Sequence, residues 1–292
     1  MLELSRDGPR DGPHGSSGWR MGYGGDTLNT AIHLARSGHD VAYLTALGLD
    51  PFSDELRGGW AAEGIDCRLV LAHPTRQPGL YAITTDAHGE RSFTYWRDSS
   101  AARAMFDLPA MAAALSSAEQ AELLLFSLIS LAILPDAGRE ALLALAGRVR
   151  ASGGRVAFDG NYRPRLWGSA DEARHWRDAA IACADIGLPT LDDERQLGAA
   201  DAAGVARAWQ ALGCSEVAVK LGAEGCLLPD ATIVAPDKVL QPVDTSGAGD
   251  AFNAGYLGAR LDGATPVEAA RAGHALAGWT IMRPGACPPR HP

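Results

Sequence analysis

The stretch DTSGAGDAFNAGYLGARL, residues 244–261, sets an aspartate on each side of a small-residue turn and then runs into apolar residues at helical spacing. Asp244 and Asp250 flank Gly247, Ala248 and Gly249, while Ala251, Phe252, Ala254, Tyr256 and Leu257 begin an apolar face. The pattern predicts a loop feeding a helix N-terminus. A helix start exposes unpaired N–H groups and the positive end of the backbone dipole. Glycines let the backbone approach a bound group closely, so the turn reads as an anion cradle. Asp250, at the end of that cradle, has two readings. It can cap the helix, as aspartates at helix starts do. It can also take a proton from a hydroxyl beside a bound phosphate, with the N–H groups of Gly247, Ala248 and Gly249 stabilising the charge in flight. Spacing alone leaves both open.

Outward from the turn, the chain alternates. Strand-like runs at 122–130, 155–159, 185–189 and 216–220 are separated by stretches of helical spacing; residues 26–38 and 41–48 read as an earlier helix and buried strand. Such alternation predicts an α/β fold, a parallel sheet with helices on both faces. Residues 80–96, LYAITTDAHGERSFTYW, break the rhythm with two alternating runs around DAHGE, which is a hairpin signature. Tyr81, Ile83, Phe93 and Tyr95 are its bulky positions. The hairpin is either a small β lid over a site or an edge hairpin of the main sheet. The first twenty residues, rich in Gly, Pro, Ser and charge after a short strand fragment, read as loop.

Composition removes several function classes. A chain of 292 residues suits one large α/β domain or two smaller ones. The net charge of −9 argues against a nucleic-acid surface. No apolar run has membrane length, and no signal-peptide pattern is visible, so no membrane partner is expected. Cys67, Cys183, Cys214, Cys226 and Cys287 are scattered without a CxxC pair. That argues against structural disulfides and zinc and leads us to expect a reducing, cytoplasmic setting.

DTSGAGDAF resembles the D-T-x-G-A-G-D signature of the ribokinase-like (PfkB) carbohydrate kinases. GGDTLNTAIHLARSG and YLTALGLDPFSDELRGGWAAEGID resemble the N-terminal Gly-Gly helix and following βα unit of that family. Four stretches, GGDTLNTA, GLYAITTDAHGERSFTYWR, FDGNYRPRLW and LPTLDDE, are more similar to the branch acting on 2-keto-3-deoxygluconate than to ribokinases. The resemblance runs over nearly the whole chain. It implies a ribokinase-like three-layer α/β/α sandwich with a mainly parallel central sheet. It also implies a small β lid drawn from about residues 10–22 and 65–97, with 1–292 forming one kinase domain.

The same resemblance implies ATP-dependent phosphorylation of 2-keto-3-deoxygluconate to 2-keto-3-deoxy-6-phosphogluconate. Asp250 matches the general base, and Gly247, Ala248 and Gly249 match the anion hole. Gly24, Gly25 and Asp26 fall where the family meets the sugar; Tyr81, Tyr95 and Arg97 come from the lid, and Arg163 points at the same pocket. Arginines bind carboxylates through directed, charge-assisted hydrogen bonds, which a sugar acid needs and a neutral sugar does not. Read without the family, Arg97, Arg163 and Arg165 are surface ion-pair residues. Lys220, Gly222 and Gly225 in VKLGAEGCLL, with Asp244, Thr245 and His274, match the nucleotide side. GAEG also reads as a plain β-turn, and a lone His on a helix as structural. Thr190 and Asp193 stand where the wider family has N-x-x-E, so Asp193 or Glu194 is expected to hold Mg²⁺ through water.

Three alternatives remain open. One is a fructokinase- or ribokinase-like specificity, and another is a catalytically impaired sugar-acid binder. A dinucleotide oxidoreductase is disfavoured, because GAGDAF lacks the G-x-G-x-x-G spacing. Lids of this family often pair between subunits, which implies a homo-oligomer. Members of the family begin with an apolar strand of the type xxVIGExMIELS, whereas this sequence opens at MLELS; the expectation is that the first core strand lies upstream.

Overall fold

The computed structural model describes residues 1–6, 18–85 and 91–289. In chain order the strands are β1 (Leu2–Arg6), β2 (Trp19–Tyr23), β3 (Val41–Ala42), β4 (Thr45–Leu47), β5 (Ile65–Asp66), β6 (Val70–Ala72), β7 (Leu80–Thr85) and β8 (Arg91–Trp96). They continue with β9 (Leu123–Ser127), β10 (Arg155–Asp159), β11 (Ile186–Gly187), β12 (Glu216–Val217), β13 (Val219–Lys220), β14 (Cys226–Leu227) and β15 (Ile233–Val234). The helices are α1 (Asp26–Arg36), α2 (Pro51–Ala62), α3 (Met111–Ala118), α4 (Leu128–Ile133), α5 (Asp136–Ala151) and α6 (Ala170–Cys183). After them come α7 (Leu191–Gln196), α8 (Ala202–Ala211), α9 (Ala248–Leu261) and α10 (Pro266–Ile281).

The central layer is parallel in the order β12-β11-β10-β9, with parallel pairs β4-β6 and β3-β5 beside it. Successive strand residues point to opposite faces, and β10 makes the layering explicit. Val156 and Phe158 pack with Leu145 and Val149 of α5, Ile181 of α6 and Trp209 of α8. Ala157, between them, packs with Phe252, Tyr256 and Leu257 of α9 and Ala269 of α10. Helices therefore cover both faces, giving the expected three-layer α/β/α sandwich. Among the described residues, β9 pairs only with β10 and β4 only with β6.

The hairpin β7–β8 is not an edge of this sheet. It forms a separate four-stranded sheet in the order β2-β1-β7-β8, with β1 antiparallel to β2 and parallel to β7. The N-terminal segment, expected as a short strand fragment followed by loop with 10–22 in the lid, supplies two strands of this sheet. Trp19–Tyr23 overlaps the expected lid segment, and Leu2–Arg6 lies between Trp19–Tyr23 and β7, a pairing that composition does not reveal. The DAHGE turn at 86–90 and residues 10–17 of the expected lid lie outside the described residues.

Other boundaries also moved. The run expected as strand 122–130 stops at Ser127, whose hydroxyl caps α4 in a reciprocal box with Ser130 and turns LISLAI helical. The run 41–48 splits into β3 and β4, which pair with different strands. In 216–220, β12 joins the parallel sheet while β13 joins an antiparallel β13-β14-β15 sheet. Among the described residues no helix is long and apolar enough to cross a membrane.

Candidate active site

Parallel strands present their chemistry at their carboxyl ends, where open α/β sheets bind ligands. Here Ser127 ends β9 and Asp159 ends β10 of the parallel sheet, and Lys220, which ends β13, is linked alongside by an isolated parallel bridge to Thr190. The N-terminal turns of α1 and α9 bring Asp26 and Asp250 to the same place. Asp250 is 9% exposed in the first turn of α9. Its Oδ2 accepts from Asn29 Nδ2 at 2.8 Å, and its carbonyl accepts from Thr30 Oγ1 at 3.1 Å. Burial, then the Asp26 charge, pushes the Asp250 carboxyl up to about 8; Asp159 adds to this, while Asn29 and Lys220 oppose it. A carboxylate ionising near neutral pH is suited to proton abstraction. Its side chain makes no N-terminal cap hydrogen bond, so the capping alternative is not realised.

The turn before it is built for close approach. Gly247 sits at φ +70 in the left-handed region, and a Cβ there would lie 2.6 Å from Ala286 Cβ. Ala251 N–H makes a helical bond to Gly247 O at 2.8 Å, and Ala248 N–H reaches Thr245 O at 3.3 Å. The N–H groups of Gly249 and Asp250 lie in the first turn, where helical partners are missing. Asp244 fixes the turn from behind, accepting from Ser246 N–H at 3.0 Å and Gly285 N–H at 2.6 Å. Its carboxylate is a brace for the turn.

On the sugar side, Asp26 starts α1 and its Oδ2 accepts from Ser127 Oγ. Burial raises the Asp26 carboxyl above the usual carboxylate range, against that hydrogen bond. Gly24 makes room for Tyr81, whose hydroxyl would sit 2.2 Å from a Cβ there, and Tyr81 Oη donates to Glu3. Tyr81 and Tyr95 lie with ring centroids 5.9 Å apart, and the Arg97 guanidinium covers Tyr95 at 4.3 Å. Burial lowers the Arg97 guanidinium below its usual value, with Tyr95 and Asp26 opposing the shift and the Arg163 charge adding to it. Arg163 is held loosely, with Nη1 donating to Tyr162 O at 2.7 Å and reaching Asp193 at 3.4 Å. Arg165 is exposed and makes no hydrogen bond or ion pair among the described residues.

Behind the turn, three buried side chains close a ring. Lys220 Nζ donates to Asp159 Oδ1 at 2.9 Å and to Asn253 Oδ1 at 3.0 Å, and Asn253 Nδ2 donates to Asp159 Oδ2 at 2.9 Å. Asn29, Ser127, Asp159 and Asn253 escaped the sequence reading. Two had a signal there. Asn29 lies three residues after Asp26 and Asn253 three after Asp250, and that helical spacing places each on the face of its carboxylate.

The expected nucleotide residues are more mixed. Gly222 (φ +62) and Gly225 (φ +114) flank a 3₁₀ turn between β13 and β14, and a Cβ on Gly225 would meet Val234 O at 2.2 Å. Backbone geometry alone therefore accounts for both. His274 Nε2 bonds Val234 O at 2.9 Å and its ring packs on Phe252. Beside them, Val243 and Asp244 donate to Ile281 O at the end of α10. Val239, Leu240 and Val243, in the same part of the chain, and Met282, at the end of α10, are exposed aliphatic side chains. A groove of about 710 Å³ outside α9 and α10, near Gly255, Gly258 and Trp279, contains none of this chemistry.

For a divalent cation, no cluster of three or more His, Cys, Asp or Glu exists among the described residues. Asp193 has its carboxyl raised by burial against the Arg163 charge. Glu194 is buried, with Oε2 on Arg177 at 2.9 Å and Oε1 without a hydrogen bond; Asn161 Oδ1 is equally orphaned. Orphaned oxygens fit the water shell of a hard cation that keeps most of its hydration.

The pfkB family carbohydrate kinase model matches residues 2–292. The chain is 41% identical over 300 residues to 2-dehydro-3-deoxygluconokinase of Dickeya dadantii, covering 99% of this chain and 94% of that protein. It superposes on a PfkB protein from Polaromonas sp. JS666 with TM-score 0.84 at 31% identity, covering 97% and 93% of the two chains. It also superposes on aminoimidazole riboside kinase from Salmonella enterica, solved with aminoimidazole riboside and an ATP analog. There the TM-score is 0.78 at 27% identity, with coverage of 98% and 93%.

Proposed function

The chain belongs to the pfkB family of carbohydrate kinases, and from that premise we propose that it phosphorylates 2-keto-3-deoxygluconate (2-dehydro-3-deoxygluconate) on its terminal hydroxyl with ATP. The product is 2-keto-3-deoxy-6-phosphogluconate. One observation carries the mechanism: a buried carboxyl ionising near 8 stands at the mouth of a helix N-terminus whose turn admits only glycine at 247.

Asp250 takes the proton of the sugar hydroxyl as its oxygen attacks the γ-phosphorus and the bond to the bridging oxygen of ADP breaks. The N–H groups of Gly249 and Asp250, with the helix dipole, stabilise the charge spread over the phosphoryl oxygens. Asp26, oriented by Ser127, and Gly24–Gly25 receive the sugar hydroxyls, and Tyr81 closes over them from the lid. Arg97 and Arg163 converge on the carboxylate that distinguishes a sugar acid from fructose or ribose. The exposed aliphatic side chains of Val239, Leu240, Val243 and Met282 suit the base of ATP. Mg²⁺, when bound, neutralises phosphate charge; Asp193 and Glu194, with Asn161, would hold its water shell. Residues 1–292 act as one kinase domain.

The lid sheet exposes apolar side chains on both faces (Trp19, Met21, Phe93, Tyr95 and Trp96), and pairing with a second copy of the chain would cover one of those faces. Five unpaired cysteines suit a reducing, cytoplasmic setting. The test is ADP release over 2-keto-3-deoxygluconate, fructose and ribose. Preference for the sugar acid by at least about tenfold in kcat/KM supports the proposal. Equal or greater turnover of a neutral sugar overturns its substrate.

A further inference from the structure

The chain carries 26 basic residues of the Lys and Arg types, yet Lys220 and Lys238 are its only lysines. Lys238 is exposed, and every other cation of these two types is an arginine. Lys220 is different: it is 7% exposed at the end of β13, in contact with Asp159 (4%) and Asn253 (1%). A buried ion pair is weak evidence of stabilisation, since apolar side chains of similar volume often do as well. What the pair gives is a compact ammonium at a fixed point. An ammonium has three donors and a guanidinium a planar five-donor fork, so only the lysine places point charge in so small a space.

Its location gives that charge a task. Nζ lies 3.9 Å from where a Cβ on Gly249 would stand, directly beneath the cradle. Two of its three N–H bonds are used, on Asp159 Oδ1 and Asn253 Oδ1. The Asn253 amide is locked by its second bond, Nδ2 to Asp159 Oδ2, so the carboxamide cannot flip without facing like against like. Asn253 is also one helical turn after Asp250, which ties the ammonium to the element that carries the base. We propose that Asp159 and Asn253 are positioning residues of phosphoryl transfer, holding the Lys220 ammonium under Gly249 so that its third N–H faces the phosphoryl group in flight. This rests on the kinase reading of Asp250 and its cradle. Asp159 and Asn253 touch neither substrate; Asn253 acts through Lys220, and Asp159 acts through Lys220 and through its charge on Asp250.

A double-mutant cycle on the full-length chain tests this, with saturating ATP and the sugar acid varied. Lys220→Met should lower kcat by about 10²-fold, the usual loss for one donor at a developing charge. Asn253→Leu and Asp159→Asn should each lower kcat about tenfold or more, with KM for the sugar acid within about twofold. In the Lys220→Met background, Asn253→Leu should change kcat by less than about threefold, because its effect is already lost. Independent, multiplying losses in the double variant overturn the proposal, as does parental kcat in Asn253→Leu. If Asn253→Leu unfolds, as a lowered melting temperature would reveal, Asn253→Ser runs the same cycle. Asp250→Asn is the parallel control. Full activity there refutes the kinase reading itself, whereas an inactive Asp250→Asn with a multiplying cycle refutes only the role of the ring.

Discussion

Replacing Asn29 by Leu should shift the pH dependence of catalysis upward, by an amount that follows from one hydrogen bond. Asn29 Nδ2 donates to Asp250 Oδ2 at 2.8 Å, and both groups are buried. The bond stabilises the ionised carboxylate and so holds the Asp250 pKa down, although burial and Asp26 still carry it to about 8. A hydrogen bond to a charged acceptor contributes about 1.5–3 kcal/mol, and one pH unit corresponds to about 1.4 kcal/mol, so the variant's pKa should rise by about 1–2 units. The base must be ionised to act, so kcat/KM rises with pH through the free-enzyme pKa. At pH 7 the variant should therefore lose about 10- to 100-fold in kcat/KM, and near pH 10 most of that loss should disappear. The other groups facing Asp250 are Asp26, Tyr43, Asp159, Lys220 and Cys287, all left in place by this change. The assay is kcat/KM for 2-keto-3-deoxygluconate from pH 6 to 10 by coupled ADP release. A limb that stays put, or moves to lower pH, refutes the claim that Asn29 sets the basicity of Asp250.

Three further outcomes are expected. Arg97→Ala and Arg163→Ala should each raise KM for the sugar acid by about tenfold or more while changing turnover of fructose or ribose by less than about threefold; equal losses count against a carboxylate clamp. Gly247→Ala forces a side chain into the left-handed region and against Ala286, so it should lower the melting temperature and abolish most of kcat; a parent-like melting curve would contradict the strain. Asp250→Asn should raise the melting temperature at pH 8 by at least about 2 °C. Its folded pKa lies far above the unfolded one, so the folded form retains a proton that the unfolded chain releases. Stability is accordingly lost as pH rises toward 8. The gain should vanish below about pH 4, and its persistence there would contradict the assignment.

What the sequence revealed and what it hid follow one physical division. Local signals were legible. The glycines and helical spacing of 244–261 located the cradle and α9, the alternating runs located β7 and β8, and strand–helix alternation gave three layers. Contacts between distant segments were not. Ser127 reads as part of an apolar strand run, and only the fold brings it to Asp26, 101 positions away. Asp159 and Lys220 are 61 positions apart and meet because β10 and β13, strands of different sheets, end at the same place. Boundaries failed for the same reason: β1 and β2 are strands because each lies against a neighbour in the lid sheet. Gly222 and Gly225, expected as nucleotide contacts, also sit in backbone conformations that favour glycine, so residue type by itself does not separate the two roles.

Turnover of the Asp250→Asn variant under saturating ATP and sugar acid tests the central claim most directly. A general base contributes about 10²–10⁴-fold, so kcat should fall by about 10³ while KM for the sugar acid stays within about threefold. A kcat within tenfold of the parent, with intact binding, would mean that the proton leaves the hydroxyl by another route.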